Sequence, residues 1–389
     1  MERTRNQTVD GLRAIAALSV LAYHVVLFTP VAKDVPGARL LFALNFGVPV
    51  FFVLSGFVVY RPFVAARAAG RPAPDLLAYA ARRAARIVPA YWVALLVLGV
   101  STIHVLDHDW WRYFFFLQLY GPHMLLGLPA AWSLCVEVTF YAAAPVFAAL
   151  VGRLGRGRPT LGAELWPLAA LAALGLICRV ALGALLDGRA TAESVLPSTA
   201  LFFAAGMSLA VLDVARAGRP ALARAIERWA AIGRCWPAAF ALFALVVLTR
   251  SHIDAFATEQ DLPGHVAVGL AAGLLVAPVL RDGGLRPLGS RPLAQLGLIS
   301  YGIYLWHQPI IMRVQQAGVH GPWSVGAGTL ALSIVLAAAS WRYVEQPAIA
   351  LARRVGRRQL RTTTNQSPSW STSPPPSSPA RAWPVNQRL

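Results

Sequence analysis

The amino-acid sequence predicts an all-α membrane protein: a polytopic bundle of about ten transmembrane helices, with the N- and C-termini cytoplasmic. Three observations carry that expectation. The chain is 57% hydrophobic and 13% charged, where a soluble domain carries about 25% charged residues. Its apolar residues fall in blocks of roughly 20, the length that crosses a bilayer. Its basic residues gather in alternate loops between those blocks, which is how a chain is oriented in a membrane.

The blocks lie at 12–30, 41–60, 86–105, 130–151, 165–186, 195–212, 235–249, 264–280, 292–312 and 323–349. The last is longer than a span needs, so it tilts or begins outside the membrane. The stretch Trp110–Tyr120 is aromatic and too short to span, and its rings suit the headgroup level. With the N-terminus inside, the inner segments hold 28 arginines; the outer loops hold six basic residues, Lys33, Arg39, Arg112, Arg189, Arg250 and Arg313. Arg179, near the middle of a span, is the remaining basic residue. This asymmetry supports ten helices and two cytoplasmic ends. Asp34, Asp107, Asp109, Asp187, Glu193, Asp254, Glu259 and Asp261 fall in outer loops, which is consistent with it but contributes little to orientation. Residues 1–355 read as one membrane domain. Residues 356–389 read as a disordered Ser/Pro/Arg-rich cytoplasmic tail, since apolar periodicity stops there. There is no internal repeat. The first block runs past any signal-peptide core and lacks a small-residue cleavage site.

The formal net charge of +18 could mark a nucleic-acid binder. Its confinement to short loops points instead to membrane orientation, and no nucleic-acid partner is expected. Cys135, Cys178 and Cys235 fit no metal or disulfide spacing and read as small packing residues. No metal is expected.

Charged and imidazole side chains within spans are costly, so each is a functional candidate: Arg13, His24, Glu137, Arg179 and His307. Arg13 and His24 are eleven positions apart, about 20° from three full turns, so they share one face roughly 16 Å apart along the helix. Arg13 at the water boundary could hold a phosphate, and a deeper imidazole could serve as a general base. The bland reading is a snorkelling arginine and a structural histidine. Ser55 and Gly56, in Phe51–Phe57 (FFVLSGF), read as small residues for close helix approach. Arg82, Arg83 and Arg86 serve either as positive-inside anchors or as a phosphate clamp. Glu137, in WSLCVEVTFY at 132–141, must be protonated, paired or wet; His24 or an arginine is its natural partner. Tyr301, Tyr304, Trp306 and His307, in SYGIYLWHQP, read as an interfacial belt or as part of a site. Arg179 is a counter-ion for Glu137 or faces outer solvent.

In this order these motifs resemble the acyltransferase-3 family of bacterial integral membrane O-acyltransferases, over about residues 8–350. DGLRAIAALSVLAYH carries the family's Arg-x10-His as Arg13 and His24. FFVLSGF follows, then Arg83 and Arg86 as Arg-x-x-Arg, Pro89-Ala90-Tyr91-Trp92, WSL with Glu137, and SYGIYLWH with His307. Pro49 stands where many members carry an acid before the Phe pair, which removes that acid's role in this chain.

The resemblance implies a stand-alone acyltransferase without the hydrolase-like domain of larger members, in the bacterial cytoplasmic (inner) membrane. It implies transfer of an acyl group, often acetyl, from cytoplasmic acyl-CoA to a hydroxyl of a carbohydrate, glycolipid or natural product. Acyl-CoA is then a co-substrate and no cofactor is permanently bound. His24 is implied as general base with Glu137 orienting it, and Arg13, Arg83 and Arg86 as ligands of the acyl-CoA phosphates. Ser133, Tyr301 and His307 are further candidates. The competing class is a transporter or flippase of envelope precursors, which also buries ionisable groups; a scaffolding membrane protein would need neither His24 nor Glu137.

Overall fold

The computed structural model describes residues 2–29, 41–101, 110–121, 128–155, 160–186, 194–249, 261–281 and 288–354. The expected tail at 356–389, and all the acidic outer-loop residues except Asp261, lie outside them. Every regular element among the described residues is helical. In chain order these are α1 (Glu2–Phe28), α2 (Gly47–Ala68), α3 (Leu76–Ser101), the short α4 (Trp110–Phe114), α5 (Trp132–Leu154), α6 (Leu161–Leu185), α7 (Leu196–Ala215), α8 (Pro220–Trp229), α9 (Ile232–Thr249), α10 (Leu262–Val276), α11 (Arg291–Leu298), α12 (Ser300–Gln316) and α13 (Pro322–Ser340).

Eight segments of this set are long and apolar enough to cross a membrane, drawn from α1, α2, α5, α6, α7, α9, α10 and α13. Two of the ten expected spans, α3 and α12, do not meet that measure, for different reasons. The first half of α3 carries Arg82, Arg83 and Arg86. The second, α12, has 17 residues, among them His307, Gln308 and Arg313, and every residue from Ser300 to Ile311 is buried. A helix enclosed by other helices need not be apolar towards lipid, so hydropathy understates it. The single block expected at 292–312 is also divided: α11 ends at Leu298 and α12 starts at Ser300. Gly297 presses on the Asp10 carbonyl of α1 there, where a Cβ would stand 2.0 Å from the oxygen.

The centre is built from α2, α7, α10 and α12, with α1, α3 and α5 around them. Close approach of α2 and α7 depends on two glycines. A Cβ on Gly56 would lie 2.4 Å from the Phe203 carbonyl oxygen, and one on Gly206 would lie 1.9 Å from that of Val53. The sequence reading of Ser55-Gly56 as a packing pair is half right, since Gly56 packs and Ser55 does something else. On the periphery, α6, α9 and α13 keep large apolar side chains such as Ile177, Leu248 and Val335 exposed. Such a surface suits lipid as solvent.

Charged groups of α2, α6 and α7 are paired between helices. Arg67 of α2 donates Nη2–H to Glu164 Oε2 of α6 at 2.7 Å, and also reaches Tyr60 and the Ala148 carbonyl. Asp213 of α7 accepts from Arg61 at 2.7 Å and from Arg216 at 3.2 Å. Helix starts are capped where the sequence allows it, as where Thr160 accepts from Ala163 N–H and Asp261 from Gly264 N–H.

Candidate active site

One cavity runs into the bundle between α1, α2, α3, α5 and α12, with about 680 Å³ of open space including its mouth. Its basic wall is Arg13 from α1 and Arg83 and Arg86 from α3. The first turns of α3 place Arg83 and Arg86 three residues apart, on one side of the helix. The Arg83 guanidinium lies over the rings of Tyr141, 5.4 Å from its centroid, and Tyr79, at 5.8 Å. Asp10 and Glu345 act electrostatically on both Arg13 and Arg86, which partly offsets the repulsion among the arginines. Glu345 is brought there by a π-helical turn, Trp341–Glu345, that follows α13; it is buried and accepts from Ser340 at 3.0 Å. The buried Nε of Arg13 hydrogen-bonds no described residue.

The same cavity is lined by hydroxyl groups, those of Ser55, Ser133, Tyr141, Tyr301 and Tyr304. Glu137 of α5 lines it, and its Oε1 accepts two donors, Ser55 Oγ–H of α2 and Tyr141 O–H at 2.6 Å. Tyr301 donates to the Ile87 carbonyl at 2.9 Å, tying α12 to α3. Tyr304 bonds Ser133 Oγ at 2.8 Å and donates to the Ala130 carbonyl at 2.9 Å. Gln308 accepts from Ala130 N–H at 2.7 Å, so α12 also anchors the start of α5.

The two histidines meet outside the set of residues that line this cavity. His307 Nε2 lies 3.1 Å from His24 Nδ1, with ring centroids 4.9 Å apart. His24 Nδ1 is also 2.9 Å from the Val20 carbonyl, and His307 Nδ1 is 2.6 Å from the Tyr304 carbonyl. His307 is fully buried. His24 is half-buried, between the Tyr23 ring and a stacked Phe28.

The structure thus gathers six of the eight residues singled out from sequence, Arg13, Arg83, Arg86, Glu137, Ser133 and Tyr301, around one cavity. It sets the other two, His24 and His307, side by side outside that lining, joined to it through the bond of His307 to the carbonyl of Tyr304. The expected pairing of Glu137 with His24 is not what the side chains do. Glu137 is held by Ser55 and Tyr141 and forms no ion pair with Arg179, which is buried on α6. Tyr141, Gln308 and Glu345 were not flagged by sequence reading. Tyr141 had a weak signal, one turn after Glu137 on the same face. Glu345 had the signal of a charge inside the block 323–349, and Gln308 had none, because its partner Ala130 is 178 positions away.

Several apolar helices around a cavity lined by three arginines, Glu137 and hydroxyl groups, with an imidazole pair next to one of its lining residues, Tyr304, define a polytopic membrane protein with ionisable groups gathered inside the bundle. The sequence matches the acyltransferase-3 family (acyltransferase domain) over residues 6–342, and the chain belongs to that family. It is similar to the Bacillus subtilis (strain 168) candidate peptidoglycan O-acetyltransferase YrhL, at 26% identity over 87% of this chain and 54% of that protein. It is also similar to the peptidoglycan O-acetyltransferase OatA of Listeria monocytogenes serovar 1/2a, at 24% over 87% and 55%, and to the O-acetyltransferase OatA of Staphylococcus aureus (strain NCTC 8325 / PS 47), at 23% over 87% and 56%. The chain spans about half the length of these curated relatives. No solved structure matches it.

Proposed function

We propose that the protein is an O-acyltransferase of the cytoplasmic membrane that moves an acetyl group from acetyl-CoA to a sugar hydroxyl. The family supplies the acyl-transfer class, and the names of the relatives point to peptidoglycan as the acceptor class. The observation that carries the reading is the cavity. Three guanidinium groups from two helices share its lining with hydroxyl groups and a carboxylate. Arginines bind phosphate with fork geometry, so Arg13, Arg83 and Arg86 would hold the CoA phosphates while the acyl-bearing arm extends past Glu137 towards Tyr304. A transporter would have no need of a polyanion grip in such a cavity.

In the proposed reaction His24 takes the proton of the acceptor hydroxyl as its oxygen attacks the thioester carbonyl. The tetrahedral intermediate collapses with cleavage of the carbon–sulfur bond. The CoA thiolate leaves and recovers the proton from His24. Each transfer therefore yields one ester and one CoA thiol, and the imidazole returns to its starting state. Glu137, with Ser55 and Tyr141, would shape the wall along which the acyl arm passes rather than orient His24.

The test is thiol release from acetyl-CoA by the purified protein in lipid nanodiscs, with solubilised peptidoglycan fragments as acceptor. His24→Ala is expected to lower kcat by about 10²–10⁴-fold, the usual contribution of a positioned base. Arg86→Gln is expected to raise KM for acetyl-CoA about tenfold or more, from loss of a charge-assisted hydrogen bond. Normal transfer by the His24 variant would sink the base assignment. Unchanged donor KM in the Arg13, Arg83 and Arg86 variants would sink the phosphate grip.

A further inference from the structure

We infer that His307 is the positioning residue for His24, fixing the tautomer in which His24 keeps Nδ1 protonated and presents a bare Nε2. The inference rests on the reading of His24 as the base and goes beyond it by naming the group that orients it. The starting point is which atoms can only accept. Carbonyl oxygens carry no proton. The Tyr304 carbonyl is 2.6 Å from His307 Nδ1, so that nitrogen must donate. A neutral His307 then has a bare Nε2. That nitrogen faces His24 Nδ1 at 3.1 Å. His24 Nδ1 also faces the Val20 carbonyl at 2.9 Å, which again requires a donor there. Both lines agree: His24 Nδ1–H is shared between the Val20 carbonyl and His307 Nε2, and the lone pair of His24 is on Nε2.

The alternatives fail on sign. With His307 Nε2–H donating, a neutral His307 would turn a lone pair on the Tyr304 carbonyl, and His24 would turn one on that of Val20. Two acceptor pairs would then abut. A doubly protonated His307 would place a cation where the side chain is fully buried, which is costly without a counter-charge. Glu137 provides none, because its bonds go to Ser55 and Tyr141. Among the described residues no hydrogen bond reaches His24 Nε2, and His24 keeps some exposure where His307 has none. The arrangement parallels the orienting role of the carboxylate in a hydrolase triad, with a neutral imidazole in its place. When His24 takes a proton at Nε2, its Nδ1–H still has an acceptor.

The experiment uses the full chain in nanodiscs and compares His307→Leu, which removes the acceptor, with His307→Gln, whose amide oxygen can stand where Nε2 stood. With acetyl-CoA and solubilised peptidoglycan fragments, His307→Leu is expected to lose about 10²-fold in kcat with donor KM unchanged. His307→Gln should recover most of that loss. In a His24→Ala background His307→Leu should cost nothing more, because a positioning residue acts only through the residue it positions. Full activity in His307→Leu, a loss shared equally by the Gln variant, or losses that multiply with His24→Ala would overturn the inference. A second readout does not depend on turnover: nitrogen-15 spectra of histidine-labelled protein, with His24 assigned by its own substitution. They should show His24 protonated at Nδ1 in the wild type and the Gln variant, and a smaller Nδ1-protonated fraction in the Leu variant, where the Val20 carbonyl holds that proton alone. The opposite tautomer in the wild type would overturn the pairing however the enzyme performs. Normal turnover by His24→Ala with the expected tautomer would instead remove the functional reading of His24.

Discussion

At the scale of single residues, the chemistry depends on which groups can accept and which must donate. Glu137 shows this outside the histidine pair. A carboxyl group in an apolar helix is costly unless it is hydrogen-bonded, and here two hydroxyl donors from different helices converge on one oxygen. Removing one leaves a hold on the carboxyl; removing both leaves it bare. Ser55→Ala or Tyr141→Phe alone is expected to cost about 1 kcal/mol, a fall of about 1–2 °C in the thermal midpoint in detergent for a chain of this length. The double variant should cost more than the sum, because the second loss strands a half-buried carboxyl group. Strictly additive midpoints would show that Glu137 does not depend on the pair. Sequence reading recognised Glu137 as a group that needed a partner, but chose the wrong one. The true partners differ in how visible they were: Tyr141 stands one helical turn away, and Ser55 stands 82 positions away on another helix.

At the scale of elements, the position of each helix is set by the small residues that let backbones meet. In lipid there is little hydrophobic drive between helices, so close packing carries much of the association. The α2–α7 contact has no room for a side chain at Gly206, where a Cβ would overlap the Val53 carbonyl. Gly206→Leu is therefore expected to force the helices apart and destabilise the protein by about 3 kcal/mol or more, read as loss of monodisperse protein after mild heating in detergent. Gly233→Leu, where a Cβ would meet nothing within 4 Å, is the control and should behave as wild type. Because α2 carries Ser55 into the cavity, the Gly206 change should also lower transfer at temperatures where the protein stays folded. Helix α12 teaches the complementary lesson. Its 17 residues are too few to meet the measure of a span, yet every residue from Ser300 to Ile311 is buried. Tyr301 bonds α3, Tyr304 and Gln308 both bond Ala130 just before α5, and His307 meets His24 of α1.

At the scale of the whole molecule, the charge asymmetry makes a prediction about sides. If the arginine-rich loops are cytoplasmic, the loop after α2 and the turn after α12 lie on opposite faces of the membrane. In a background without native cysteines, Ala73→Cys should resist a membrane-impermeant maleimide added to intact cells and react after permeabilisation. His320→Cys should react without it, since the intervening blocks reverse the chain. Labelling of both sites from the same side would overturn the ten-span arrangement. The outcome bears on the site, because it fixes the arginines of the cavity on the side where acetyl-CoA is made.

The sequence alone determined the solvent, the class and the cast. Block length and arginine placement define a membrane bundle because lipid imposes a strict length and the membrane an asymmetry of charge, and both are local properties of the chain. Ionisable residues inside apolar blocks stood out because their burial is costly wherever they go. The helical period also put Arg13 and His24 on one face of one helix. Only the tertiary structure decided who touches whom. His24 and His307 are 283 positions apart, and Ser55 and Glu137 meet from different helices. A period states which way a side chain points from its own axis, and says nothing of which helix stands opposite. That is why the sequence could name a candidate base and a carboxylate and pair them with each other, while the fold gave the carboxylate to two hydroxyls and the candidate base to a second histidine.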